Sequence, residues 1–334
     1  MKKNPANRQK KLNNNLDYDP LGGLVFKVSP HLEELAKRSP AVRREFYPSA
    51  EETRPTSQSL VDPLLEDAHA VTRGLVHKYP SRVLVLLTMT CAAYCRFCTR
   101  RRRVSDIEAG NITLEDIEAM VSYLESHQDI NEVIFSGGDP VTVPRLLIAA
   151  INKIKKLPQI KIIRVHTRTP VANPTLITPQ LLKTFRSISK QALYVSIHFE
   201  HPDELTPITR KTVKAIKDTG AILLSQSVFL KGINDDVEVL YNLFSELPML
   251  GVRPYYIYRC DPTIGVEHFM VSFKKEVAIM TELRKRLSGI AYPTYVIDAP
   301  NGSGKIPVPL EFWEFKRTNH TDFLDKNIKI VGPK

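Results

Sequence analysis

The chain has 334 residues, of which 43% are hydrophobic and 25% are charged. This balance fits one large or two moderate globular domains and excludes a wholly disordered, collagen-like or coiled-coil chain. The longest uncharged stretch near the middle, residues 83–95, is shorter than the roughly 18 apolar residues that span a bilayer. No apolar segment with a cleavage site follows Met1. We therefore expect a soluble, cytoplasmic protein with no membrane contact.

The formal net charge is +11, and the positions of the charged residues show how strongly it indicates binding of a polyanion. Five cations precede the first acid, Asp17, in a stretch typical of a flexible tail. The other local excess is the run of four arginines at 100–103. Elsewhere acids and bases are mixed, so the composition gives only weak support for binding a polyanion such as nucleic acid.

Residues 1–74 form one predicted unit, a tail followed by a helical or irregular region that wraps a larger body, with a helix over 31–38. Beyond Arg82, short β-branched runs alternate with amphipathic segments, which predicts a parallel α/β sheet, open or closed into a barrel. The predicted strands cover residues 83–88, 132–135, 160–166, 192–198, 221–229, 253–258 and 293–297. The predicted helices cover residues 114–126, 145–157, 179–187, 206–219, 237–247 and 274–288.

Polar side chains follow the strand runs repeatedly. Ligands of parallel sheets bind at the carboxyl ends of the strands, so these side chains should line one pocket. They are Cys91 to Cys98, Ser136 to Asp139, His166 to Arg168, His198, Gln226, Cys260 with Asp261, and Asp298.

Three of the four cysteines, Cys91, Cys95 and Cys98, have the spacing C-x3-C-x2-C. Three thiols this close indicate a metal site with three protein ligands rather than a disulfide framework. They suit a [4Fe–4S] cluster with one iron left open. A zinc site is the alternative, although no histidine lies nearby. Cys260 is interpreted as a packing residue.

The string TMTCAAYCRFCTRRRRV after the first strand run resembles the lysine 2,3-aminomutase family of radical S-adenosylmethionine (SAM) enzymes. Further similar strings are GLVHKYPSRVL, FSGGDP, TRTPV, HFEHPDE, QSVFLKGIND, RPYYIYRCD and DAPNGSGKIPV. The resemblance implies a partial (β/α)6-type radical SAM barrel over residues 75–290 and a C-terminal segment, 291–334, that carries a lysine for pyridoxal 5′-phosphate (PLP). It also implies an isomerase that converts L-lysine to L-β-lysine with a [4Fe–4S] cluster, SAM, PLP and an electron donor such as flavodoxin or ferredoxin.

The resemblance also assigns roles to single residues. Lys305, in a small-residue loop, would bind PLP, and Arg82 and Lys78 would contact its phosphate. Arg100 would pair with the substrate α-carboxylate, while Asp261 and Asp298 would hold the distal ammonium group of lysine. The SAM contacts implied by the resemblance are Ser136, Gly137, Gly138, Asp139 and His198, and Gln226 would lie between the two cofactors.

The chain departs from longer members of that family. No cysteine follows Cys260, and Asp236 stands where a partner cysteine is expected. We therefore expect no structural zinc and a homodimer rather than a tetramer. Asn301 and Ser303 replace glycines in the loop before Lys305, which predicts lower activity.

Two alternatives stay open at this point. The same chemistry could act on another amino acid, or on lysine destined for modification of elongation factor P. A remote alternative from a different class is a basic metal-binding protein whose arginine run contacts nucleic acid, and we do not expect it.

Overall fold

The structure, a computed structural model, describes residues 24–54, 60–104, 111–299, 304–310, 319–321 and 327–329, the last two ranges for their backbone alone. Its α-helices are α1 Pro30–Arg38, α2 Pro40–Phe46, α3 Arg101–Val104, α4 Leu114–Ser126, α5 Pro144–Ile154, α6 Thr169–Ala172, α7 Pro179–Arg186, α8 Pro207–Lys217, α9 Val237–Met249 and α10 Phe273–Arg286. Short 3-10 turns lie between several of them.

The strands of the described residues form a ten-stranded sheet, β1 to β10 in sequence order, and a separate antiparallel pair, β11 and β12. Strands β3 to β9 are parallel, while β1, β2 and β10 are antiparallel to their neighbours. Their bounds are β1 Ala70–Thr72, β2 Leu75–Tyr79, β3 Arg82–Thr88, β4 Glu132–Gly137, β5 Ile162–Thr167, β6 Ala192–His198, β7 Ile222–Val228, β8 Val252–Tyr258, β9 Thr294–Ala299, β10 Gly304–Pro307, β11 Asn319–Thr321 and β12 Asn327–Lys329.

The α/β prediction is confirmed, and of its two forms the open one is correct. Within the described residues β1 and β10 are the edges of the sheet and do not pair with each other, so the barrel is partial rather than closed. The seven predicted strands overlap β3 to β9, and the predicted helices overlap α1, α4, α5 and α7 to α10. The sheet runs across residues 74–75 and 290–291, and the division into three segments stays a prediction.

Alternation along the parallel strands separates a core face from a cavity face. Val133 and Phe135 of β4 and Val165 of β5 belong to the main apolar core under the helices. Their neighbours Ser136 and His166 line the cavity instead. Polar residues at every second position of buried strands therefore mark the functional face.

The N-terminal helices pack on the cysteine loop. Leu35 of α1 and Phe46 of α2 form an apolar cluster with Ala92 and Ala93, which lie between the first two cysteines. Ser29 and Ser39 cap these helices, accepting hydrogen bonds from the backbone N–H groups of the first turns. This region thus shapes one wall around the cysteines.

Candidate active site

The candidate site is a cavity of about 400 Å³ on the inner face and carboxyl ends of the strands. It collects residues from β2 to β10, as expected for ligand sites of parallel sheets. Every residue with a predicted role in the sequence lines it: Lys78, Arg82, Cys91, Cys95, Cys98, Arg100, Ser136, Gly137, Gly138, Asp139, His198, Gln226, Asp261, Asp298 and Lys305.

The cysteine loop between β3 and α3 is held by a buried ion-pair cluster. Arg96, between the second and third cysteines, is fully buried and donates to both oxygens of Glu52 at 2.9 and 2.5 Å. Arg101 donates to the same carboxylate at 2.8 Å. The Arg96 amide also donates to the Glu45 carbonyl of α2 at 2.7 Å. These contacts orient the cysteines toward the cavity.

Cationic groups surround the thiols. Arg168 donates to Cys95 Sγ at 3.3 Å, and Lys27 Nζ donates to the Cys91 carbonyl at 3.0 Å. Burial raises the pKa of Cys95 to about 12, although Arg168 opposes the shift. Thiolates here therefore need further positive charge, which metal ions supply on binding. The three thiols line the same cavity, and three thiolates of one loop fit a [4Fe–4S] cluster. Among the described residues no three acidic, His or Cys side chains converge on a single-ion site.

The Ser136–Asp139 turn needs its glycines because it packs against the backbone that leads into the cysteine loop. Gly137 has φ +118°, and a Cβ there would lie 2.4 Å from the Thr88 carbonyl. A Cβ on Gly138 would lie 2.4 Å from the Thr90 carbonyl. Asp139 N donates to that same Thr90 carbonyl at 2.9 Å. The glycines thus fix the turn to the cysteine loop, a reason that the sequence pattern alone does not give.

Asp139 is engaged by the protein itself. Its carboxylate accepts hydrogen bonds from the hydroxyls of Thr167 and Thr169 and from the backbone N–H groups of Val141, Arg168 and Thr169, all at 2.8–3.0 Å. A carboxylate offers about four acceptor positions, so these donors fill them. Asp139 thus joins the turn after β4 to the loop after β5.

His198 and Gln226 face each other on neighbouring strands, β6 and β7. His198 Nδ1 lies 3.2 Å from the buried carboxylate of Glu200. Gln226 Nε2 donates to the Tyr258 hydroxyl at 2.9 Å. Glu200 and Tyr258 thus hold these two side chains, which both line the cavity.

Lys305 lies on strand β10, not in the loop that the sequence suggested; residues 301–303 of that loop fall outside the described residues. Antiparallel pairing places Lys305 opposite Asp298 of β9. Its Nζ donates to both carboxylate oxygens at 2.8 Å and lies 5.1 Å from the centre of the Tyr258 ring. A strand-borne lysine in a hairpin is held more firmly than one on a loop.

The phosphate candidates lie on the β2–β3 hairpin. The guanidinium of Arg82 stacks 3.8 Å above the ring centre of Tyr79, and Lys78 Nζ donates to the Leu64 carbonyl at 3.3 Å. Arg82, Lys78 and Lys305 line the same cavity. Two cations for a phosphate and an amine for an aldehyde fit a phosphorylated aldehyde cofactor.

The two acids proposed for a substrate ammonium group differ in setting. Burial, with the neighbouring charge of Asp298, raises the pKa of Asp261 to about 7, although Lys305 opposes the shift. Asp298 carries the ion pair with Lys305. The carboxyl groups of Asp261 and Asp298 thus offer negative charge to a second cation besides Lys305.

The arginine run is paired with acids of the same chain. The pairs are Arg100 with Glu66, Arg101 with Glu52, Arg102 with Asp62 and Asp67, and Arg103 with Asp67. Arg101 to Arg103 are therefore ion-pair partners within the chain, and the nucleic-acid alternative loses its proposed contact surface.

Comparisons with known proteins agree with this geometry. Residues 85–244 match the radical SAM superfamily. L-lysine 2,3-aminomutase from Acetoanaerobium sticklandii is 37% identical over 315 residues, which cover 93% of this chain and 75% of that protein. The enzymes of the same name from Fusobacterium nucleatum and Clostridium subterminale are 40% and 39% identical over 80% of this chain.

The chain belongs to the lysine 2,3-aminomutase family of radical SAM enzymes. Its aligned part spans only 62% and 64% of the F. nucleatum and C. subterminale proteins. A crystal structure of a radical SAM methyltransferase from Sphaerobacter thermophilus is also similar, with a TM-score of 0.47 and 19% identity over 67% of this chain and 68% of that chain.

Membership of the radical SAM superfamily implies a [4Fe–4S] cluster and SAM. Within the described part of this family member, no helix is long and apolar enough to cross a membrane.

The sequence left two cavity residues without an assigned role, although it placed Arg168 among the pocket-lining side chains. Glu66 lies 34 positions before Arg100, and no spacing pattern links them. Arg168 falls in a motif of the family but had no assigned role, and its contacts to Glu45, Glu204 and Cys95 come from three distant segments. Only the fold brings such partners together.

Proposed function

We propose that this protein is a PLP-dependent radical SAM aminomutase that converts L-lysine to L-β-lysine by moving the α-amino group to C3. The observation that carries the proposal is the shared cavity: three cysteines, a strand-borne lysine, two acids and an arginine line one space of about 400 Å³. When bound, the cluster and SAM would supply the hydrogen-abstracting radical, and PLP would hold the migrating nitrogen.

The acids support a substrate with a side-chain cation. Asp298 pairs with the Lys305 ammonium at 2.8 Å in this structure. If Lys305 held the coenzyme, its Nζ would no longer be a free ammonium, and Asp298 would be available to the distal ammonium of a substrate. Asp261 lies close enough for its pKa to respond to Asp298. Two carboxylates facing one cation favour lysine over an acidic or apolar amino acid.

The other end of an amino acid substrate would meet Arg100. Its guanidinium lines the same cavity and donates to Ser136 Oγ at 3.3 Å. A planar guanidinium matches the geometry of a carboxylate. Anchoring both ends would fix C2 and C3 relative to the cysteine loop, and such positioning supplies much of the rate in reactions of bound partners.

The test is an anaerobic assay of the reconstituted, reduced enzyme with free L-lysine, following β-lysine by chromatography. We expect β-lysine from the wild type and none from Lys305→Ala, with the cluster spectrum of the variant unchanged. No β-lysine from a wild type that carries both cofactors would contradict the proposal. Conversion of another amino acid at a higher kcat/KM would transfer the assignment to that substrate.

A further inference from the structure

Glu66 makes the most extensive contact to the predicted substrate anchor. Its carboxylate accepts hydrogen bonds from Arg100 Nε at 2.9 and 3.0 Å and from Nη2 at 2.7 Å. The Glu66 side chain is only 6% exposed. Charge-assisted, two-pronged pairs of this kind hold a guanidinium in one orientation. Glu66 therefore decides where Arg100 points.

A guanidinium has five N–H donors on a side edge and an end edge. Glu66 occupies the side edge, formed by Nε and Nη2, while Nη1 donates to Ser136 Oγ at 3.3 Å. Within the described residues the other donors of Arg100 meet no further acceptor. The end edge thus faces the part of the cavity that Ser136 lines, and a second carboxylate can bind there without displacing Glu66.

The backbone next to Glu66 is strained at Leu65. Leu65 has φ +50°, and it is the only non-glycine residue with positive φ in the described chain. A leucine in that region is uncommon and costs free energy. Its neighbours on both sides, Leu64 and Glu66, line the cavity. The Leu64 carbonyl accepts a hydrogen bond from Lys78 Nζ, and Glu66 pairs with Arg100.

We propose that Glu66 is a positioning residue, which holds Arg100 by its side edge so that the end edge binds the α-carboxylate of the amino acid substrate. The inference rests on the proposed function. It adds a substrate requirement. Among the described residues the end edge of Arg100 has no acidic partner, so the site should select substrates with a free α-carboxylate.

The test compares Glu66→Gln with Asp67→Asn in the PLP- and cluster-loaded enzyme without reductant, so that substrate binds but does not react. Asp67 is the matched control, since it also pairs with arginines of the run but lies outside the cavity. The dissociation constant is measured by calorimetry for L-lysine and for L-lysinamide, which lacks the carboxylate. Glu66→Asp, which keeps the charge, is the second variant if the glutamine variant does not fold.

We expect Glu66→Gln to weaken L-lysine binding about tenfold, the equivalent of one charge-assisted hydrogen bond. Binding of L-lysinamide, and both constants in Asp67→Asn, should stay within twofold. Glu66→Asp should lie between the wild type and Glu66→Gln. With reductant, kcat in Glu66→Gln should change less than KM.

Three results would overturn the inference. Unchanged lysine binding in Glu66→Gln would leave Glu66 as a structural partner only. Tighter binding would show that Glu66 competes with the substrate for Arg100. An equal loss of L-lysinamide binding would show that the effect of Glu66→Gln does not depend on the substrate carboxylate. A wild type that binds lysine without forming β-lysine contradicts the proposed reaction alone, whereas one that binds no lysine contradicts both proposals.

Discussion

The pKa of an acid in the cavity depends on its burial and on the charges beside it, and not on its residue type alone. Asp261 and Asp298 are both acids at strand ends, yet burial and the charge of Asp298 bring the pKa of Asp261 to about 7. The sequence predicted that both acids face one cavity. It could not predict the ion pair between Asp298 and Lys305, which depends on the antiparallel register of β9 and β10.

The raised pKa of Asp261 predicts a pH dependence of substrate binding. With a pKa of about 7, about a tenth of Asp261 is ionised at pH 6 and about nine tenths at pH 8. The lysine side chain stays cationic over this range. The KM for L-lysine should therefore fall as pH rises from 6 to 8, by up to about tenfold, and Asp261→Asn should flatten the profile.

Steady-state assays at several pH values check this. Asp218→Asn, an acid in an exposed ion pair of α8, is the control and should keep the wild-type slope. A KM for the wild type that does not vary with pH, or a slope retained in Asp261→Asn, would contradict the assignment.

Among the elements, the parallel strands and their helices were predictable because their apolar periodicity is strong. Strands β1 and β2 were missed because they have only three and five residues. Strand β10 was read as part of a loop because Gly302, Ser303 and Gly304 precede Lys305. Asp236, noted in the sequence as a missing cysteine, caps α9 by accepting from Glu238 N and Val239 N. Partners across elements, such as Asp139 with the loop after β5, needed the fold.

The turn after β4 gives a prediction at this scale. Gly138→Ala would place a Cβ 2.4 Å from the Thr90 carbonyl, so the turn and the cysteine loop must separate. We expect a loss of about 1–3 kcal/mol in the free energy of unfolding, typical of overpacking, with reduced iron content after reconstitution.

Chemical denaturation and iron analysis measure the two effects. The control is Gly289→Ala, because a Cβ there meets no atom within 4 Å and φ is not positive. If Gly138→Ala behaves like Gly289→Ala in both measurements, the packing of the turn against the cysteine loop is wrong.

At the scale of the molecule, buried ion pairs connect the N-terminal region to the cysteine loop. Glu52 lies in a 3-10 turn beyond α2 and pairs with Arg96 and Arg101 on either side of Cys98. Burial alone would raise the pKa of Glu52, but hydrogen bonds from the two arginines outweigh it and lower the pKa. Its stabilising charge is thus present at neutral pH and is lost as pH falls through the lowered pKa.

Removing this carboxylate should destabilise the whole structure. Glu52→Gln leaves two buried guanidinium groups without their shared anion, and we expect a loss of about 3–5 kcal/mol in urea unfolding at pH 7. Glu51→Gln is the matched control, since Glu51 is exposed and pairs with Arg44 at the surface, where a pair contributes about 0–1 kcal/mol. Equal stability of the two variants would show that the N-terminal region does not hold the cysteine loop.

The proposed function requires one cavity to hold both the iron–sulfur cluster and the coenzyme on Lys305. An ultraviolet–visible spectrum of anaerobically reconstituted protein tests it most directly. We expect iron–sulfur absorption together with a PLP band that disappears in Lys305→Ala and shifts on adding L-lysine. Cys95→Ala should lose the iron–sulfur absorption alone. A PLP band that persists in Lys305→Ala, or iron–sulfur absorption that survives in Cys95→Ala, would contradict it.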